Sequence, residues 1–177
     1  MKKTLSIFLF ITFAWSVNAQ YFEEMQIDSL QRIIDNPANK DADRIDPLAR
    51  LSKLYESQGD SAAATNMLNR ARTLALREKD SKYMIYVYNQ ELMNCINTHP
   101  RKITRAYQII DSMYIAIQKT SDSEAQALGY DYIGSAKFLI NAEDNLEDCF
   151  KSLALAEILP EKSILKHRIL CDIYLYK

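Results

Sequence analysis

Apolar residues recur at helical spacing from Ile27 onward, interrupted only by short polar breaks. In the clearest stretch, Ile103, Ala106, Tyr107, Ile110, Met113, Tyr114 and Ile117 follow the i, i+3, i+4, i+7 rhythm that puts side chains on one face of an α-helix. Strand-like alternation is nowhere sustained with comparable strength. The chain has only 3 glycines and 4 prolines in 177 residues, where average usage would supply about a dozen and about nine. So few turn-formers argue against an all-β sandwich or barrel, and Gly59, Gly129 and Gly134 are too scattered to build a glycine-rich phosphate loop. The pattern predicts one all-α domain with helices at about 22–35, 47–58, 61–78, 81–97, 101–119, 123–140, 145–158 and 162–176.

Local signals support these boundaries. Asp46 before Pro47 reads as an N-cap followed by proline at the first helical position, where its missing N–H costs nothing. Ser121 with Glu124, and Asp144 with Glu147, have capping-box spacing. Gly59-Asp60 and Asn97-Thr98-His99-Pro100 leave almost no loop between helices, which forces antiparallel neighbours and predicts successive helical hairpins.

Residues 1–19 read as a targeting segment: Lys2 and Lys3, an apolar run from Leu5 to Trp15, and the small-x-small site Val17-Asn18-Ala19 before Gln20. The alternative is an uncleaved membrane anchor, which the shortness of the run disfavours against the ~20 residues that span a bilayer. No cysteine follows the apolar run, so no lipid anchor is expected, and the mature chain, residues 20–177, is expected to be periplasmic or secreted with no membrane span. The formal net charge of the full chain, −1, gives no broad attraction for nucleic acid, and removal of Lys2 and Lys3 with the targeting segment makes it more negative still. Cys95, Cys149 and Cys171 fit no zinc spacing, and each lies in an apolar helical stripe. They read as buried thiols, with one disulfide and a leftover thiol as the alternative.

A repeated spacing is visible in part of the chain. In the segment 45–78, Leu48, Leu51, Ser52, Tyr55, Gly59, Ala64, Leu68 and Ala71 occupy unit positions 4, 7, 8, 11, 15, 20, 24 and 27. This spacing resembles the tetratricopeptide repeat (TPR), a helix-turn-helix unit of about 34 residues in which small side chains let two helices approach closely. A second, partial unit at 127–163 carries Tyr130, Ile133 and Gly134, then Cys149, Leu153 and Ala156 after an expanded turn, with Pro160 near its end. An incomplete unit at 164–177 follows, with Leu170, Cys171 and Tyr174 at positions 7, 8 and 11. The intervening segment 79–126 is divergent, with Asn94 and Asn97 where a small residue and a tyrosine are expected.

Residue types able to carry chemistry mostly have structural explanations. His99 lies in a turn and His167 between Lys166 and Arg168, and neither has a nucleophile at a recognisable spacing. Glu143, Asp144, Glu147 and Asp148 lack the alternating ligands and central glycine of a calcium loop, and suit the positive end of a helix dipole instead. The 11 tyrosines, among them Tyr83, Tyr86, Tyr88, Tyr130 and Tyr132, read as inter-hairpin packing or, alternatively, as aromatic anchors in a peptide groove.

The TPR resemblance implies an antiparallel α-solenoid with a groove along the first helix of each hairpin. It assigns to that groove Asp46, Lys53, Glu56, Asp131, Ser135, Arg168, Asp172 and Tyr176. With Ala49 and Lys53 at positions 5 and 9 of the best unit, the cationic clamp of carboxylate-binding TPRs is absent, and the mixed charges suit a protein or peptide partner. The expected function is therefore protein–protein interaction, with no catalysis, cofactor or metal. An exported helical array of this kind is similar to the sensor portion of bacterial envelope regulators, which implies a fragment of a longer signalling protein. The alternative is a stand-alone envelope scaffold or assembly factor that docks or dimerises through its last helix.

Overall fold

The computed structural model describes residues 23–142 and 145–175, and the expected targeting segment lies outside them. The described residues form helices with no strand: α1 (23–35), α2 (Asp41–Ser57), α3 (Ser61–Ala75), α4 (Lys82–Asn97), α5 (Ile103–Lys119), α6 (Ser123–Leu139), α7 (Asn145–Glu157) and α8 (Ile164–Leu175). None is long and apolar enough to cross a membrane.

Helix ends are set by local chemistry. Asp60 caps α3 by accepting the Ala63 N–H at 2.9 Å, and Asp122 caps α6 by accepting that of Ala125 at 3.1 Å. The α6 cap is thus one residue beyond the expected Ser121. The start of α2 also differs from expectation. It begins at Asp41, with the Asp43 carboxylate accepting the Lys40 N–H at 3.2 Å and two acids in the first turn facing the helix dipole. Pro47 therefore lies inside the helix, where it has no N–H to give to the preceding turn, and Asp46 is a mid-helix residue instead of a cap.

Two hairpin turns share one device. At the end of α2, the Gly59 N–H donates to the Glu56 carbonyl at 3.0 Å and the Asp60 N–H to that of Tyr55 at 2.9 Å, with Gly59 at φ +81°. At the end of α6, Asn141 at φ +57° takes the glycine's place, and the Asn141 and Ala142 N–H groups bond to Phe138 and Lys137. Both are Schellman closures, which require a left-handed residue just past the helix.

The helices pack in chain order. Within a hairpin α2 pairs with α3, α4 with α5 and α6 with α7, while α2, α4, α6 and α8 contact one another in succession as a row. The odd helices α3, α5 and α7 each also touch the even helix that follows. Three apolar cores result. The first joins Leu30 and Ile34 of α1 to Ile45, Leu48, Leu51, Leu68, Ala71 and Val87. The second joins α4, α5 and α6 through Ile85, Leu92, Ile110, Met113, Ile117 and Ile133. The third is smaller, with Ala127, Cys149, Ala156, Leu159 and Ile169.

Small residues mark the close approaches. Ser52, Ala64 and Ala71 are buried in the first hairpin, and Gly134 and Ala156 farther along. Of the amphipathic stripe read on α5, Ala106, Ile110, Met113 and Ile117 are buried, whereas Ile103 and Tyr107 are exposed at its edge. Gly129 makes the tightest contact: a Cβ there would lie 2.6 Å from Ile117 Cγ1 and 3.5 Å from Ile85 Cγ2, so α6 can sit on α4 and α5 only without a side chain at this point.

The two glycines should respond differently to substitution. Gly129→Ala must displace Ile117 and is expected to cost about 1–3 kcal/mol in urea-induced unfolding. At Gly59 no atom lies within 4 Å of an added Cβ, so only the dihedral matters. Gly59→Ala should cost roughly 1–2 kcal/mol and Gly59→Asn much less.

Candidate interaction surface

The row α2, α4, α6, α8 carries most of the residues expected to line a groove. Lys53 and Glu56 are exposed on α2, without an ion-pair partner among the described residues. Ser135 is half-buried on α6. Asp131, expected on the open face, is instead buried, and its Oδ2 receives a hydrogen bond from Arg168 Nη2 of α8 at 3.2 Å. The Arg168 guanidinium also lies 5.6 Å from the centre of the Tyr132 ring and hydrogen-bonds that side chain. The structure thus joins Asp131 to Arg168 and spends both, in part, on tying α6 to α8. The side chain of Asp172 and all of Tyr176 lie outside the described residues.

Electrostatics connect the rest of the row. Burial raises the Asp46 carboxyl above its ordinary range, and Arg50, at 3.8 Å, only partly offsets this. The Tyr86 phenol of α4 is pushed up to about 12, first by burial and then by the negative charge of Asp46. Burial also raises Tyr132 of α6, opposed by Arg168 and reinforced by Asp46. Tyr86 and Tyr132 thus each feel the negative charge of Asp46, and Tyr132 also the positive charge of Arg168. Of the tyrosines, Tyr83, Tyr88, Tyr130 and Tyr132 pack against the cores, as the inter-hairpin reading expected.

Other polar clusters bind helices together and were not apparent from the sequence. Lys137 of α6 donates to Asp148 of α7 at 2.8 Å and to the Tyr114 hydroxyl of α5 at 3.0 Å, and that hydroxyl donates to Asp148 at 2.7 Å. Lys137 and Asp148 are 5% and 1% exposed. Burial raises the Tyr114 phenol to about 12, with Lys137 opposing. Glu91, buried on α4, is hydrogen-bonded by Arg72 of α3 and lies 3.9 Å from Arg105 of α5. Lys166 folds back on the end of α7, donating to the carbonyls of Glu157 and Leu159 at 3.3 and 3.4 Å. The signal for the first cluster was a lysine inside the apolar face of α6, beside Ala136, which demands a buried partner.

Of the acidic group near the start of α7, Asp148 is consumed in this way and Glu147 pairs with Lys151 at 2.6 Å. Glu143 and Asp144 lie outside the described residues. Among the described residues no group of three or more His, Cys, Asp or Glu side chains could hold a metal ion. His99 is exposed, and so is His167, whose ring nitrogen lies 3.0 Å from the Glu161 carbonyl oxygen. Cys95 and Cys149 are free and buried, and burial pushes both thiols up, which keeps them protonated and unreactive. The side chain of Cys171 is outside the described residues.

No family model matches the chain, and neither the curated proteins nor the solved structures provide a match.

The Lys137–Asp148 pair gives a direct test of how α6 and α7 are joined. Lys137→Met leaves a buried carboxylate whose remaining donor is Tyr114, and should cost about 3–5 kcal/mol in chemical unfolding. Lys137→Met with Asp148→Leu should recover most of that loss.

Proposed function

We propose that this chain is an exported TPR-like helical-repeat module that binds a protein or peptide segment along the face of α2, α4, α6 and α8, without catalysing a reaction. One observation carries this reading: α2, α4, α6 and α8 contact one another in a row, and on it the Arg168 guanidinium of α8 lies 5.6 Å from the Tyr132 ring of α6, with Tyr86 on α4 and Asp46 on α2. Tyrosine and arginine are the residues that most often anchor a bound segment, because they offer large contact area together with a polar tip. Asp46 adds a carboxylate that its surroundings disfavour and that a partner's cation or N–H group would satisfy. The placement of Leu48, Leu51, Ser52, Ala64, Leu68 and Ala71 inside the first hairpin, as the repeat spacing requires, supports the TPR-like part of the reading. In this role the module is the sensing portion of a longer envelope regulator.

A second reading, docking or dimerisation through the last helix, draws on a different observation. Phe150, Ile158 and Ile164 at the α7–α8 end are 58%, 71% and 85% exposed. A concentration-independent dimer in light scattering, abolished by Ile164→Glu, would favour it over the groove.

Two experiments test the main reading. The chain used as bait in envelope extract should retain a partner that Tyr86→Ala with Tyr132→Ala releases, and equal retention by that variant would overturn the groove assignment. Asp46→Asn should also weaken capture while raising the melting temperature at neutral pH. The folded-state pKa of Asp46 is raised, so the wild type loses stability as pH rises from roughly 3.9 through the folded value. The advantage of Asn should vanish below that interval. For export, N-terminal sequencing of the mature protein should begin at Gln20; a start at Met1 would overturn it.

A further inference from the structure

A second surface, on the outside of the first hairpin, differs from the inner row in chemistry. There α2 and α3 border a groove of about 620 Å³ with Leu48 buried at its base. Its lining runs along α3 from Ala62 and ends at Arg77, in the turn just past the helix, a length of roughly 20 Å for the helical part at helical rise. An extended segment of about six or seven residues has that length.

The lining is cationic and rich in hydrogen-bonding groups. Arg70 reaches it from α3, Arg77 from the turn just past the end of α3, and Arg44 from α2. Arg44 is held in place: its Nη1 lies 3.5 Å from Asp41, and its Nη2 donates to the Asn36 carbonyl at 3.0 Å. Arg70 and Arg77 have no carboxylate partner among the described residues; the contact Arg70 makes is a 3.6 Å approach to Met67 Sδ. Three guanidinium groups thus face one carboxylate, Asp41, in a chain whose net charge is −1. On the N-terminal side of Arg70, Asn66 and Asn69 present side-chain amides that can both donate to and accept from a peptide backbone.

We propose that this groove binds an acidic peptide segment in extended form, with Arg70 and Arg77 pairing its carboxylates and Asn66 and Asn69 holding its backbone. Arginine suits this task because its planar fork matches a carboxylate in two parallel hydrogen bonds. The elongated shape favours a segment with several carboxylates over a single small anion. The site is independent of the inner row, so one module can hold two different segments.

Fluorescence anisotropy of the 177-residue chain with a labelled peptide of alternating Glu and Ser tests the proposal. Binding is expected to weaken several-fold as ionic strength rises. It should fall at least about tenfold in Arg70→Glu with Arg77→Glu, the loss of roughly 1.4 kcal/mol or more that removing charge-assisted hydrogen bonds gives, and be largely kept in Arg70→Lys with Arg77→Lys. Both side chains are solvent-facing, so these variants should keep the wild-type circular dichroism; Arg70→Ala with Arg77→Ala replaces the charge reversal if it does not. Tyr86→Ala should leave this binding unchanged, which separates it from the inner face. The proposal fails if the Glu peptide does not bind, if a Lys–Ser peptide binds as well, or if the charge-reversed variant binds equally. It also fails if inorganic phosphate displaces the peptide at equal concentration, since the groove would then be a simple anion site.

Discussion

Each interior helix of the even-numbered row belongs to two cores at once. α4 places Val87 in the first core and Ile85 and Leu92 in the second, and α6 places Ile133 and Ala136 in the second and Ala127 in the third. No hairpin can therefore complete its burial alone, and packing passes from neighbour to neighbour along the chain. Sharing one helix between two cores requires close approach on both sides. This explains the buried small residues and the contact in which the backbone of Gly129 meets Ile117.

Apolar contacts are tolerant of sliding, and polar clusters at each junction supply the register that they lack. Arg72, Glu91 and Arg105 tie α3, α4 and α5, while Tyr114, Lys137 and Asp148 tie α5, α6 and α7. Lys82, 3.0 Å from Asp122, links the start of α4 to the cap of α6. Asp122 shows the balance of forces at such a lock. Burial alone would raise its carboxyl, yet the Ala125 amide and the Lys82 ammonium hold it below its usual range. Buried pairs of this kind contribute little net stability but make misaligned packings costly, because a shifted helix would strand a charge.

With the apolar faces committed to the cores, the remaining surfaces differ in character. The row of even-numbered helices carries Tyr86, Tyr132, the half-exposed carboxylate of Asp46 and the guanidinium of Arg168. The groove of the first hairpin carries Arg44, paired with Asp41, and Arg70 and Arg77, which have no carboxylate partner among the described residues. Because α2 starts at Asp41, Asp46 is a mid-helix residue instead of a cap, and its negative charge reaches Tyr86 of α4 and Tyr132 of α6.

Helix positions, hairpin turns and the small residues of the first unit were legible in the sequence because they depend on neighbours a few positions away. Periodicity marks a buried face, and Gly59 with Asp60 closes one helix and caps the next through bonds spanning three to five residues. The extra turn of α2 was missed because the Asp-Pro pair is an equally good start signal, and the acids at 41 and 43 provided an earlier one. What the tertiary structure decided is the fate of the charges. Asp131 and Arg168 lie 37 positions apart, and Tyr114 and Asp148 lie 34 apart. The repeat resemblance implies a groove position for Asp131, and local pattern reads Asp148 as a helix-dipole acid; only the packing of one helix on another removes them from water and brings the cation that makes their burial tolerable.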